Sequence, residues 1–352
     1  MKKNKQITLV LLIWIPAILY AQSVEFSKHN LSLNSSITGQ KSASQSVCEF
    51  CHTPHSDRAI SPAWSKGNTG TRYIMYDQMT SSTSNIPYDP TRQPDGSSIL
   101  CLSCHDGTIA MGNAGSTMPI GSSSNLGTDL SDDHPISFIY DATLVSADGQ
   151  LKHKPLFPAT LDGNEKVQCT SCHDPHNDTY ANFLVATNEY SDLCLKCHDP
   201  EYWNFSSHAT SASGWNGSGE NPWAHTEHSF ATVAQNGCAN CHSMHTAGGK
   251  ERLMKEDLEE MNCLDCHNGN VASPDKNIET QFTKPYRHDI FGSDKVHEPN
   301  ETALIGLSNK HIECADCHNA HAVNPTTEKA PYANGFLAGL KGIDQNGNAI
   351  NP

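Results

Sequence analysis

The stretch Cys169-Thr170-Ser171-Cys172-His173-Asp174-Pro175-His176 holds two cysteines three residues apart, a histidine directly after the second, and another histidine three residues on. On a helical turn, positions i, i+3 and i+4 face the same way. Both thiols and the first imidazole are therefore presented to one object. The Cys-x-x-Cys-His core occurs seven times, at Cys48–Cys51–His52, Cys101–Cys104–His105, Cys169–Cys172–His173, Cys194–Cys197–His198, Cys238–Cys241–His242, Cys263–Cys266–His267 and Cys314–Cys317–His318. All 14 cysteines are used.

This spelling is that of covalent c-type haem attachment, with the thiols bonded to the porphyrin edge and the histidine an axial ligand of iron. Zinc ribbons and disulfides also use paired cysteines, but they leave the histidines unexplained. With 20 histidines in 352 residues, chance would set one behind all seven pairs with a probability on the order of 10⁻⁹. The sequence predicts seven covalently attached haems.

Hydrophobic residues make up 36% of the chain and aromatics 7%, lean for this length. Gly, Pro, Ser, Asn and Thr fill the intervals between motifs. Such a chain has little of its own to bury against the entropy of ordering its loops, and apolar macrocycles would make up the deficit. The expected fold is coil-rich and extended, with few short α-helices and little sheet, organised around a chain of seven haems. The apoprotein should fold poorly, because ligation and folding share one free energy. The net charge of −15 disfavours nucleic acid and anionic membranes. It leaves redox partner proteins or extracellular acceptors as partners.

Residues 1–21 read as a signal peptide: Lys2, Lys3 and Lys5, an apolar run from Ile7 to Tyr20, then Ala21 before the cut. No later run is long and apolar enough to span a bilayer. Beyond the leader the motifs alternate. Odd ones continue to a second histidine (His55, His176, His245, His321), and even ones begin Cys-Leu. First cysteines within a pair lie 25 residues apart at Cys169/Cys194 and at Cys238/Cys263, and 53 apart at Cys48/Cys101. The units are 22–150 with haems one and two, 151–220 with three and four, 221–296 with five and six, and 297–352 with haem seven and a tail. Gly112 to Thr128 and Ser206 to Pro222 read as linkers. Met254, Leu258 and Met261 recur at helical spacing, predicting a helix over Lys250 to Asn262 with packing methionines.

Each iron needs a second axial ligand if it carries electrons alone. The remaining histidines are His29, His55, His134, His153, His176, His208, His225, His228, His245, His288, His297, His311 and His321, more than the sites require. Two histidines per iron are favoured, hence low potential. The second histidine of an HxxH lies about 10 Å of extended chain from the first, too short to round the ring to the same iron, so it serves a neighbour. The preferred scheme gives His29 to haem one, His55 to two, His134 to three, His176 to four, His208 to five, His245 to six and His288 to seven. The rival scheme uses histidines just before odd motifs (His153, His228 and His311), of which His311 is the strongest. His153, His225 and His297 read as solvated loop residues. His321 is left over: a spare, or a ligand to a haem in the next copy, in which case head-to-tail contact would build a filament.

The stretches SKHNLS around His29, CEFCHTPH, CLSCHDGTIA, DDHPISFIYD, CTSCHDPH and CADCHNAH resemble the doubled-CxxCH family of multihaem c-type cytochromes. That resemblance implies periplasmic or cell-surface electron transfer, and the family includes filament-forming members with closely stacked haems and a ligand donated between subunits. The expected activity is electron hopping between closed haems, with no catalytic side chain. The rival is a multihaem reductase of nitrite, hydroxylamine or a sulfur oxyanion with one open haem. The nitrite-reducing type commonly has a lysine in one motif, and all seven here have histidine.

Overall fold

The loop-forming composition carries through to the backbone. The computed structural model describes residues 24–36, 44–49, 51–52, 70–78, 84–108, 124–224, 229–288, 290, 313–323, 342–343 and 349–350. The expected leader and His55, His225, His228, His297 and His311 lie outside the described residues.

Three of the six described α-helices coincide with a Cys-x-x-Cys-His motif. Two run for more than two turns, α1 (Gly96–His105) and α6 (Glu259–His267), and each ends on the histidine of an even motif. Between them lie α2 (Ala142–Asp148), α3 (Cys169–Cys172), α4 (Ser207–Thr210) and α5 (Val233–Asn236). α2 is the conventionally bounded one. Asp141 caps its first turn by accepting from the Leu144 N–H, and Gly149 ends it at φ 74°. Motifs four, five and seven turn as 3-10 segments, Cys194–Lys196, Gly237–Asn240 and Cys314–Asp316.

Sheet is limited to two-residue pairs among the described residues. β1 (Ile74–Met75) runs parallel to β2 (Asp129–Leu130), and β3 (Phe138–Ile139) is antiparallel to β4 (Lys166–Val167). β5 (Gly342–Ile343) is antiparallel to β6 (Ala349–Ile350). Apolar burial is correspondingly scattered. Phe138, Tyr140, Leu144, Val145 and Val167 form one small core, and Tyr73, Met75, Leu102 and Leu130 another. The coil-rich, sheet-poor expectation holds.

Two expectations about elements need correction. The helix expected over Lys250 to Asn262 starts only at Glu259. Upstream, Arg252 and Leu253 sit at φ 53°, and Met254 pairs with His242 and Gly249 in β-bridges. The Lys255 N–H donates to the Cys241 carbonyl at 2.8 Å. Bonding to motif five outweighs the helical spacing. The Ser206 to Pro222 linker begins with α4, because the Ser206 Oγ accepts from the Ala209 N–H. α1 of motif two packs on α3 of motif three.

Candidate metal centres

Each described motif closes on itself in the way its spacing requires. The histidine N–H donates to the carbonyl four residues back in His52, His173, His198, His242 and His318, at 2.8 to 3.0 Å. Motifs two and six lie within α1 and α6. Thiols and imidazole thus emerge from one turn.

Six of these imidazoles face a second one across a fixed gap. The pairs are His52–His176 and His29–His105 at 6.1 Å, His134–His198, His173–His245 and His242–His321 at 6.2 Å, and His208–His267 at 6.3 Å between ring centres. The angle between ring planes runs from 16° to 86° while the separation barely changes. Rings in direct contact come closer, as His29 does on Phe183 at 4.3 Å. A metal–imidazole bond of about 2.0 Å plus about 1.1 Å from nitrogen to ring centre, taken twice, gives about 6.2 Å for two rings on opposite sides of one ion. The paired imidazoles fit the two nitrogen ligands of one iron, and each motif's cysteines would hold the haem that carries it.

The fit extends outward. In His105, His173, His242 and His267 the Nδ1 lies 2.7 to 3.2 Å from the carbonyls of Ser124, Asn182, Arg252 and Lys276. His134 and His208 reach the carbonyls of Pro135 and Ala320. Nδ1–H donation of this kind fixes the tautomer and leaves Nε2 for a metal. In motifs three and five the accepting carbonyl sits on a strap, Ala181–Phe183 or Glu251–Leu253, whose Asn182 and Arg252 adopt φ 57° and 53°. Burial, then the charge of the facing histidine, lowers His29, His134 and His321 to about 4. A metal requires the neutral imidazole.

Among the described residues no cluster of three or more His, Cys, Asp or Glu converges on one point as a metal site. The recurring unit is two imidazoles beside two thiols. A family model described as the doubled CXXCH motif matches residues 163–201, and one described as cytochrome c554 and c-prime matches residues 193–268. Both matches, over residues 163–268, support a multihaem c-type cytochrome family for the chain. Its CxxCH motifs therefore imply covalently bound c-type haem, and electron transfer is the activity such domains support. No curated protein matches this chain. Among its described residues no helix is long and apolar enough to cross a membrane.

The pairing in this chain differs from the expected scheme. His29 faces His105 rather than His52, His134 faces His198 rather than His173, and His208 faces His267 rather than His242. His176 and His245 face His52 and His173, each in the odd motif before its own, rather than His198 and His267. His321 is not left over, because it faces His242. So even motifs take the loop histidine and odd motifs take the HxxH histidine of the next odd motif. His153 and His288 are exposed.

Contacts between thiols explain the shift. The Cys101, Cys194 and Cys263 side chains lie beside those of Cys169, Cys238 and Cys314. Each even motif thus sits against the odd motif that follows. At the remaining steps Cys51 lies near Cys101, Cys172 near Cys197 and Cys241 near Cys263. Motifs successive in sequence are thus neighbours in space.

The sequence reading missed what holds these junctions. Ser98 Oγ accepts from the Cys169 N–H at 3.0 Å and Ser191 Oγ from the Cys238 N–H at 2.9 Å. Buried Gln168 donates to Asp95 and Asp162 and accepts from Ser98 and Ser137. The readable signal was a serine three residues before Cys-Leu, at Ser98 and Ser191.

Proposed function

We propose that the chain is an exported seven-haem electron carrier, one haem per Cys-x-x-Cys-His motif, with iron held between two histidines. The observation that carries this reading is the constant separation of six imidazole pairs, 6.1 to 6.3 Å, across all ring orientations. Iron bound there supplies one-electron chemistry between its ferric and ferrous forms. The chain's part is to fix each imidazole through Nδ1, keep it neutral by burial, and hold successive sites against one another. Electrons then hop outer-sphere along the row without a catalytic side chain. Two imidazoles per iron favour low potential.

The reductase reading needs a site with one face left to substrate, and the six described pairs favour the carrier. Export follows from the basic and apolar leader at residues 1–21, with haem attachment beyond the inner membrane and a working place in the periplasm or at the cell surface. A charge of −15 suits docking on basic patches of redox partner proteins, or delivery to extracellular acceptors.

A mass spectrum of the mature protein should show the polypeptide plus seven haems. Electron paramagnetic resonance should show only low-spin ferric iron, and the reduced protein should not bind CO. Bare polypeptide, zinc, or a high-spin fraction that takes CO would overturn the carrier reading.

Self-association rests on a different residue from the one the sequence suggested. In three pairs an HxxH histidine faces the odd motif before its own. By that rule His55 serves an odd-type site ahead of Cys48, which a second copy of the chain would have to supply. Such a contact does not close on itself and builds a filament. Electron microscopy of the holoprotein should show filaments that His55→Ala abolishes. Single particles under all conditions would remove the idea.

A further inference from the structure

The histidines that face one another across the sites do not all have the same support. Six whose Nδ1 partner is a backbone carbonyl, three in sites two and six among them, receive a neutral acceptor. His245 is different. Its Nδ1 lies 2.9 Å from Asp133 Oδ1, a carboxylate whose side chain is only 5% exposed. His176 also has a carboxylate near its Nδ1, but Asp174 stands 3.4 Å away, with both side chains well exposed. There solvent screens the charge. At His245, whose own side chain is 47% exposed, the carboxylate is buried and solvent screens it less.

The setting is built rather than incidental. The His134 N–H donates to the Met244 carbonyl at 2.9 Å and the Ala247 N–H to the Asp132 carbonyl at 3.0 Å, stitching Asp132-Asp133-His134 to the loop that carries His245. Lys250 ties the same loop to Asp129 at 3.0 Å. The second carboxylate oxygen of Asp133 is buried without a hydrogen-bond partner. The side chain therefore spends its one strong bond on the imidazole.

A ligand imidazole that donates to an anion becomes a stronger electron donor than one that donates to a carbonyl. Both the stronger donation and the buried negative charge favour ferric over ferrous iron, and second-shell hydrogen bonding is one of the protein's levers on haem potential. Resting on the carrier reading above, we propose that Asp133 is a positioning residue whose carboxylate, through His245, makes the site of His173 and His245 the lowest-potential member of the row. The third site of the seven then forms a rise in the electron's path. Electrons would equilibrate faster within the stretches on either side than across it.

A reductive titration of the intact holoprotein, followed by its haem absorbance, tests this. Replacing Asp133 with asparagine keeps the shape and an acceptor oxygen but removes the charge. In Asp133→Asn the lowest step, one-seventh of the amplitude, should move to higher potential while the rest of the curve superimposes, and one set of ferric g values should change. Superimposable titrations at equal haem content overturn the proposal. If Asp133→Asn loses a haem, His245→Met decides, since methionine ligation raises the potential. The step that rises must be the lowest one, and movement of any other step overturns the proposal. A wild-type protein without haem would instead bring down the carrier reading.

Discussion

A methyl group at position 237 would fall on the hydroxyl that joins two sites. Gly237 sits at φ 52°, and a Cβ built there lies 1.9 Å from Ser191 Oγ, the atom that accepts from the Cys238 N–H. The side chain fits only if the Ser191 hydroxyl gives up its bond to the Cys238 N–H or motif four moves away from motif five. Gly127 offers the comparison: it is also left-handed, at φ 71°, but nothing lies within 4 Å. Gly127→Ala should cost only the backbone term, about 1 kcal/mol. Gly237→Ala should cost that plus the collision, about 3 kcal/mol. Thermal melting of the two holoprotein variants measures the difference, and equal melting temperatures would show that Ser191 yields freely. Nothing in the sequence marks Gly237 for this role. A glycine next to a cysteine motif reads as an ordinary turn until the packing partner is known.

At the scale of elements, the chain uses one element to complete the end of another. The first N–H groups of a helical turn have no partner within it. In α3 and at Gly237–Asn240 the missing acceptor is a serine from the preceding even motif, Ser98 or Ser191. At the third junction Glu259 accepts from the Ala315 N–H at 2.7 Å. An acceptor three or four residues ahead of an even motif therefore caps the odd motif that follows. This device, together with the thiol contacts, sets the histidine pairing. It explains why the motifs and the turn each must form were legible in the sequence while the partner of each histidine was not. Chain length limits how far His176 can reach from His173, but it does not say which neighbour is there. That depends on the docking of motif three on motif two through Ser98, Gln168 and Cys101. The helix expected at Lys250 failed for a related reason. Its residues satisfy motif five, through the Arg252 and Leu253 carbonyls, before they can satisfy one another.

For the molecule as a whole, the question is what replaces a core. The largest described apolar cluster has five buried members, Phe138, Tyr140, Leu144, Val145 and Val167, and two others have three each. Such islands bury too little to hold a chain of 352 residues against its conformational entropy. The polar junctions cannot make up the shortfall, since a hydrogen bond contributes only about 1 kcal/mol net. The cysteines and histidines of successive motifs lie near one another instead, and on the carrier reading proposed above the missing apolar mass is haem bound among them. Protein made without haem attachment should consequently lose most of its ordered structure, because the free energy of ligation is part of the free energy of folding. Limited proteolysis tests this directly. The holoprotein should resist cleavage within the stretch from Asp129 to Lys284, whereas the haem-free chain should be cut throughout it, with the helical circular dichroism of α1 and α6 lost as well. A haem-free chain that kept both its protease resistance and its helical signal would mean that the small clusters and serine caps suffice, and the row of porphyrins would then be cargo on a self-sufficient fold.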